Sequence, residues 1–105
     1  MTDPLMLDPA TIKTYHDQGW VVIPDAFSAA EVAVLETAAL HVLERPGPEV
    51  GREADGSPHV NWGMHMFDER LAALVHHPAL VSTSRQLLDD DFYVHQSRIN
   101  MKQTN

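Results

Sequence analysis

Gln96, Arg98, Asn100 and Lys102 share one parity of the run from Phe92 to Lys102, while Tyr93, His95, Ser97, Ile99 and Met101 share the other. Side chains alternate across a strand with period two, so four consecutive polar positions line one face. A guanidinium grips a carboxylate as a bidentate fork and an ammonium as a point charge, and each amide offers both a donor and an acceptor. Such a face is either a solvated edge or one wall of a polar cavity. The residue types alone leave both readings open.

The seven histidines raise a metal hypothesis that their spacing mostly refuses. His76 and His77 are adjacent, so on a helix they point about 100° apart and cannot face one ion. One of them is expected to cap the helix end ahead of Pro78. His59, His65 and Asp68 would make two imidazoles and a carboxylate, the ligand set of a non-haem iron site. Asp68 is better explained as a helix cap. His16 and His41 sit on predicted helices with no partner nearby in sequence, and His95 on the apolar-leaning face of the last strand is expected to be a hydrogen-bonded core histidine. Gly47-Pro48-Glu49-Val50-Gly51 lacks the Lys-Ser/Thr of a phosphate loop, and neither a Gly-x-Ser-x-Gly elbow nor a His-Glu-x-x-His helix occurs. The Trp62 to Phe67 cluster of aromatics and Met reads as core rather than pocket wall.

With 105 residues, 44% of them hydrophobic and 21% charged, the chain suits one modest domain, and no domain boundary is visible. Fifteen acidic against seven basic residues give a charge of −8, which argues against a nucleic-acid groove. The absence of cysteine excludes thiolate zinc and iron–sulfur sites and fits an intracellular setting. Neither a secretory signal nor a membrane span is legible, so no membrane partner and a cytoplasmic location are expected.

The elements that must position these residues read as α+β. Asp8-Pro9 opens a helix that Gly19 stops. Trp20-Val21-Val22-Ile23 predicts a short strand ending at Pro24-Asp25. Ser28-Ala29-Ala30-Glu31 has capping-box spacing and starts a helix from about residue 29 to 45, with Val32, Leu35, Ala39 and Val42 as its apolar stripe. The Pro- and Gly-rich stretch from 46 to 58 predicts a loop, and His59 to Phe67 an irregular segment with at most a short strand. Asp68 caps a helix through Leu74 that Pro78 interrupts, and a second helix runs to Leu88. Three carboxylates oppose a helix dipole at its C-terminus, which puts Asp89-Asp90-Asp91 in the turn before the last strand.

The segment Tyr93-Val94-His95-Gln96-Ser97-Arg98-Ile99-Asn100-Met101-Lys102, preceded by His77-Pro78-Ala79-Leu80 and Leu87-Leu88, resembles the stretch ahead of the metal motif in phytanoyl-CoA dioxygenase-like enzymes. The ectoine hydroxylase and bacterial proline 4-hydroxylase branches are nearest. Asp17 to Phe27 followed by the Ser-capped helix with Glu31-Val32 is similar to that family's opening, so the likeness spans nearly the whole chain. The resemblance implies the N-terminal part of one dioxygenase domain over 1–105, with a helical region of about 8–90 and a first lumen strand of about 92–102. It also implies a double-stranded β-helix, or jelly roll, of which this chain carries the first strands. Fe(II), 2-oxoglutarate and O2 are the implied cofactor and co-substrates, and an aliphatic carbon of a small molecule is the implied target, with an amino acid or an ectoine-like compound as its class. By position, Gln96 would face the substrate, Asn100 and Lys102 the 2-oxoglutarate region, and Arg98 would back them.

In that family a His-x-Asp pair and a distant His hold the iron, and the sequence reaches Asn105 before a His-x-Asp appears. No catalytic or metal-ligating residue is therefore assigned within it, the isolated chain is expected to be inactive, and the remainder of the same domain is the expected partner. The alternative is a non-catalytic helical binding or dimerisation module that pairs its last strand with a partner.

Overall fold

The computed structural model describes residues 6–102 and is α+β, with four helices and one small antiparallel sheet among them. Helix α1, Pro9–Gln18, starts at Asp8, whose carboxylate accepts the Ala10 N–H at 3.4 Å, and stops at Gly19, where φ of 86° suits a residue without Cβ. Helix α2, Ala29–Leu43, carries the expected capping box. The Glu31 N–H donates to the Ser28 hydroxyl at 3.1 Å, and the Ser28 N–H donates to the Glu31 carboxylate at 2.9 Å. Two orphan amides are satisfied reciprocally.

Between α2 and the next helix lies a hairpin whose second strand falls largely in the segment expected to hold at most a short strand. Strand β1, Val50–Arg52, sits inside the stretch expected to be loop, and β2, Pro58–Trp62, follows it. The turn is tied by Asp55, whose carboxylate accepts the Ser57 N–H at 2.9 Å, and by Gly56 at φ 87°. A one-residue register shift falls between Gly51 and Arg52. Strand β3, Arg98–Asn100, completes the order β1-β2-β3 with β2 in the middle. The paired strand is thus shorter than the 92–102 expected, because residues 92–97 have no ladder partner among the described residues.

Trp20-Val21-Val22-Ile23 forms no strand, and Trp20 is 60% and Val22 72% exposed. β-branched residues make a strand only where a neighbour offers a ladder and a surface to pack on, and here neither is present among the described residues.

A 3₁₀ turn, Met64–Met66, leads into α3, Glu69–Leu74, and then α4, Pro78–Leu88. His77 caps the start of α4, accepting the Ala79 N–H at 3.0 Å, instead of closing the helix before it. Pro78 at the first helical position needs no donor partner, so the cap works forward. Asp89 sits just past α4 at φ 54°, and the acidic run lies in the turn as expected.

The core is Ala38, Val42 and Leu71, with Leu35, Met64, Phe67, Leu74 and Ile99 packed against it. α2 thereby packs on α3 and β2, while α1 lies on α4, where the Leu7 N–H donates to the Gln86 side chain at 2.8 Å. No helix among the described residues is long and apolar enough to cross a membrane.

Candidate functional site

The register fixes which residues share a sheet face. Val60 pairs with Asn100, Asn61 with Ile99 and Trp62 with Arg98, while Val50 faces Asn61 and Gly51 faces Val60 across the hairpin. Val50, Asn61 and Ile99 therefore share the face that packs on the helices, since Ile99 joins the core. Gly51, Val60, Trp62, Arg98 and Asn100 share the other. Arg98 and Asn100 are exposed there, although Val60 on the same face is buried.

The two outer candidates flank the ladder. Lys102 is exposed beyond Met101, whose N–H donates to the His59 carbonyl at 2.8 Å and prolongs the pairing. Gln96 is exposed one residue before Ser97, whose carbonyl accepts the Gly63 N–H at 2.7 Å. Arg98 and Asn100 are brought onto one face by regular pairing, while Gln96 and Lys102 lie outside the paired strand, next to residues tied by single main-chain bonds. Two cations and two amides thus fall within seven residues on a chain of net charge −8. Cations and amides of this kind form charge-assisted hydrogen bonds with carboxylates.

The histidines are dispersed. His59 pairs with Glu53 at 3.0 Å, His65 shares a hydrogen bond with the Ser97 hydroxyl at 2.5 Å, and Asp68 is taken up by Arg70 and by His41 at 3.2 Å. His59, His65 and Asp68 do not converge, and among the described residues no three His, Asp or Glu side chains could hold a metal ion. Asp68 caps α3 by accepting the Arg70 N–H at 2.8 Å, as expected of it. The Arg70 guanidinium, helped by the Arg70 N–H and His41, holds the Asp68 carboxyl well below the usual carboxylate range against the opposing effect of desolvation. His95 is exposed rather than part of the core, because its segment precedes the ladder that carries Ile99 to the core.

A cavity of about 320 Å³ lies between α2, α3 and the start of α4, lined by Phe27, Val34, Leu35 and Leu74 with Glu31 and His77 at its edge. Because the His77 Nδ1 accepts the Ala79 N–H, its proton is on Nε2, which donates to the Glu31 carboxylate at 2.5 Å. The Ser28 N–H, ahead of the His77 ring, keeps the Glu31 carboxyl below its ordinary range. Glu31 and His77 thus join the caps of two helices to each other, while Arg70, which also lines the cavity, is bound to Asp68.

Sequence reasoning missed Asn61, which is fully buried and donates from Nδ2 to the Val42 carbonyl at 3.1 Å. It also missed the His65–Ser97 contact across 32 residues. Neither leaves a local sequence signal, since both depend on the sheet being formed.

The profile of the phytanoyl-CoA dioxygenase (PhyH) family matches residues 15–105. The chain is 40% identical over 91 residues to an L-proline trans-4-hydroxylase of Streptomyces griseoviridis, a match covering 85% of this chain and 34% of that protein. It is 32% identical over 96 residues to an ectoine dioxygenase of Bordetella bronchiseptica, covering 87% of this chain and 31% of the relative. A similar protein, the ectoine dioxygenase of Sphingopyxis alaskensis, is 35% identical over 93 residues, covering 84% and 30%. The chain spans about a third of the length of these curated relatives.

Proposed function

The chain belongs to the phytanoyl-CoA dioxygenase family, and from that premise we propose that it is the N-terminal part of an Fe(II)/2-oxoglutarate-dependent hydroxylase of a small amino acid or ectoine-like compound. The reading includes a jelly roll to which β3 contributes one of the first strands, and a cytoplasmic setting. Its main support is that the family match runs through the segment in which pairing puts Arg98 and Asn100 together on the sheet face opposite Ile99.

In the proposed assignment Gln96 faces the substrate, Asn100 and Lys102 bind 2-oxoglutarate, and Arg98 stands behind them. A dicarboxylate suits this donor set, since an ammonium, a guanidinium and an amide N–H all favour carboxylate oxygens. Iron is different. The described residues supply no converging donor set, so no residue of this chain is assigned to it and no step is derived through it. When bound in the whole protein, iron would activate O2, one oxygen atom of which goes to the substrate C–H bond as hydroxyl and the other to 2-oxoglutarate, which is converted to succinate and CO2.

The test is succinate release by the protein made from its full coding sequence, with Fe(II), 2-oxoglutarate and a panel containing proline and ectoine. Lys102→Ala and Asn100→Ala are expected to raise the KM for 2-oxoglutarate, and Gln96→Ala that for the amino acid. Absence of succinate with every compound would remove the enzyme reading. A second reading, strand addition to a partner, is favoured by the position of β3 at the sheet edge and by Tyr93, 83% exposed beside it. A discrete dimer without 2-oxoglutarate turnover would select it.

A further inference from the structure

Ser97 lies between Gln96 and Arg98 and is the last residue tethered before the ladder ends. Its carbonyl accepts the Gly63 N–H at 2.7 Å, and its hydroxyl shares a 2.5 Å hydrogen bond with the His65 Nδ1. Both partners belong to the 3₁₀ turn and its entry, where Gly63 takes φ of 77°. The turn that carries His65 is anchored on both sides, because Met64 and Phe67 both pack against the Ala38, Val42 and Leu71 core. A continuous path therefore runs from the core through the turn to Ser97. Upstream of Ser97 the chain has no ladder, and Gln96 has no other anchor among the described residues.

We propose that His65 is a positioning residue, whose imidazole fixes the Ser97 side chain and through it the placement of Gln96 against the amino-acid substrate. This rests on the hydroxylase reading above. It assigns His65 a role without metal ligation and predicts an asymmetry between the two small molecules. Asn100 is held independently, by the pairing with Val60 and by the Met101 N–H on the His59 carbonyl at 2.8 Å. Loss of the His65 contact should therefore disturb the amino acid and spare 2-oxoglutarate.

The experiment compares Ser97→Ala, His65→Gln and His65→Asn in the full-length protein. An Asn amide occupies the position of the imidazole Nδ1, whereas a Gln amide reaches the position of Nε2, so only Asn can restore the bond to Ser97. A misplacement near 1 Å costs up to about a hundredfold in rate. Ser97→Ala and His65→Gln are expected to raise the amino-acid KM about tenfold while the 2-oxoglutarate KM stays within about twofold, and His65→Asn to return both to near the wild-type values. A global loss of packing would move both KM values together and would not be rescued by Asn.

The second readout needs no turnover. In a ¹⁵N-histidine spectrum, the His65 Nδ1 resonance is expected to shift on Ser97→Ala. An unmoved resonance overturns the contact. A shifted resonance with unchanged amino-acid KM overturns the positioning role alone, whereas no succinate from the wild-type protein overturns the hydroxylase reading on which the role depends.

Discussion

Replacing Asp68 separates a structural carboxylate from a metal ligand, and its contacts give the expected size of the effect. Oδ1 accepts the Arg70 N–H at 2.8 Å and Nε at 3.1 Å, Oδ2 accepts Nη2 at 2.8 Å, and the Asp68 side chain is only 6% exposed. Asp68→Ala removes an N-cap worth about 1 kcal/mol. It also removes an ion pair whose arginine is 40% exposed, so screening limits that part to about 0.5–1 kcal/mol. Asn is as good a cap as Asp, so Asp68→Asn should lose only the second part.

Urea unfolding followed by circular dichroism should then show a midpoint lowered by about 1 M for Ala and about half that for Asn, taking a slope of about 1.5 kcal/mol/M. The pH dependence has a definite sign. The folded carboxyl lies below its unfolded value, so the ionic contribution is fully present above about pH 4, and the gap between wild type and Asp68→Asn narrows as pH falls below that. Equal midpoints for Ala and Asn, or a gap unchanged on acidification, would refute the reasoning. A Co(II)-dependent rise in the wild-type midpoint that Asp68→Asn abolishes would revive the metal reading, because a ligand that binds only the folded state stabilises it.

Three further outcomes follow from the packing. Gly51→Ala places a Cβ 2.8 Å from a Val60 methyl and 2.9 Å from the Trp62 ring, and should lower thermal stability by about 1–3 kcal/mol through overpacking of the hairpin. Asn61→Ala removes one donor from the Val42 carbonyl, which keeps the Arg45 N–H at 3.4 Å, and should cost about 0.5–1.5 kcal/mol by chemical denaturation, with Asn61→Asp worse at neutral pH and recovering on acidification because it buries a charge. His77→Ala should speed hydrogen exchange at the Ala79 amide, and His77→Asn should restore its protection, since only the cap bond distinguishes them.

Local signals were legible where the physics is local. Asp8, Ser28 with Glu31, and Asp68 were readable as caps because each bond closes within three residues, and the acidic run after Leu88 was readable from the helix dipole. Strand assignments failed where pairing decided. Trp20 to Ile23 has the composition of a strand and no ladder, whereas Val50-Gly51-Arg52 sits among prolines and glycines and pairs with β2. The polar parity of Arg98 and Asn100 was readable, but the face it occupies depends on Ile99 reaching a core built by Ala38 and Val42, more than fifty residues earlier. His95 was misplaced for the same reason, since its parity put it with Ile99 but the ladder that would carry it to the core begins only at Arg98.

The candidate face is therefore only as well defined as the register of β3. Side chains alternate strictly, so a slip of one residue would bring Arg98 or Asn100 against Ala38, Val42 and Leu71 and turn Ile99 outward. The pair across from Ile99 is Asn61, fully buried on the central strand with Nδ2 fixed on the Val42 carbonyl. A buried amide tolerates few alternative placements, because any shift that breaks its bond leaves the donor without water or partner. Asn61 thus ties β2 to α2, Ile99 ties β3 to the same core, and the pairing between them leaves Arg98 and Asn100 only the opposite face. The chemistry proposed for that face depends on a nonpolar residue and an amide that touch no ligand.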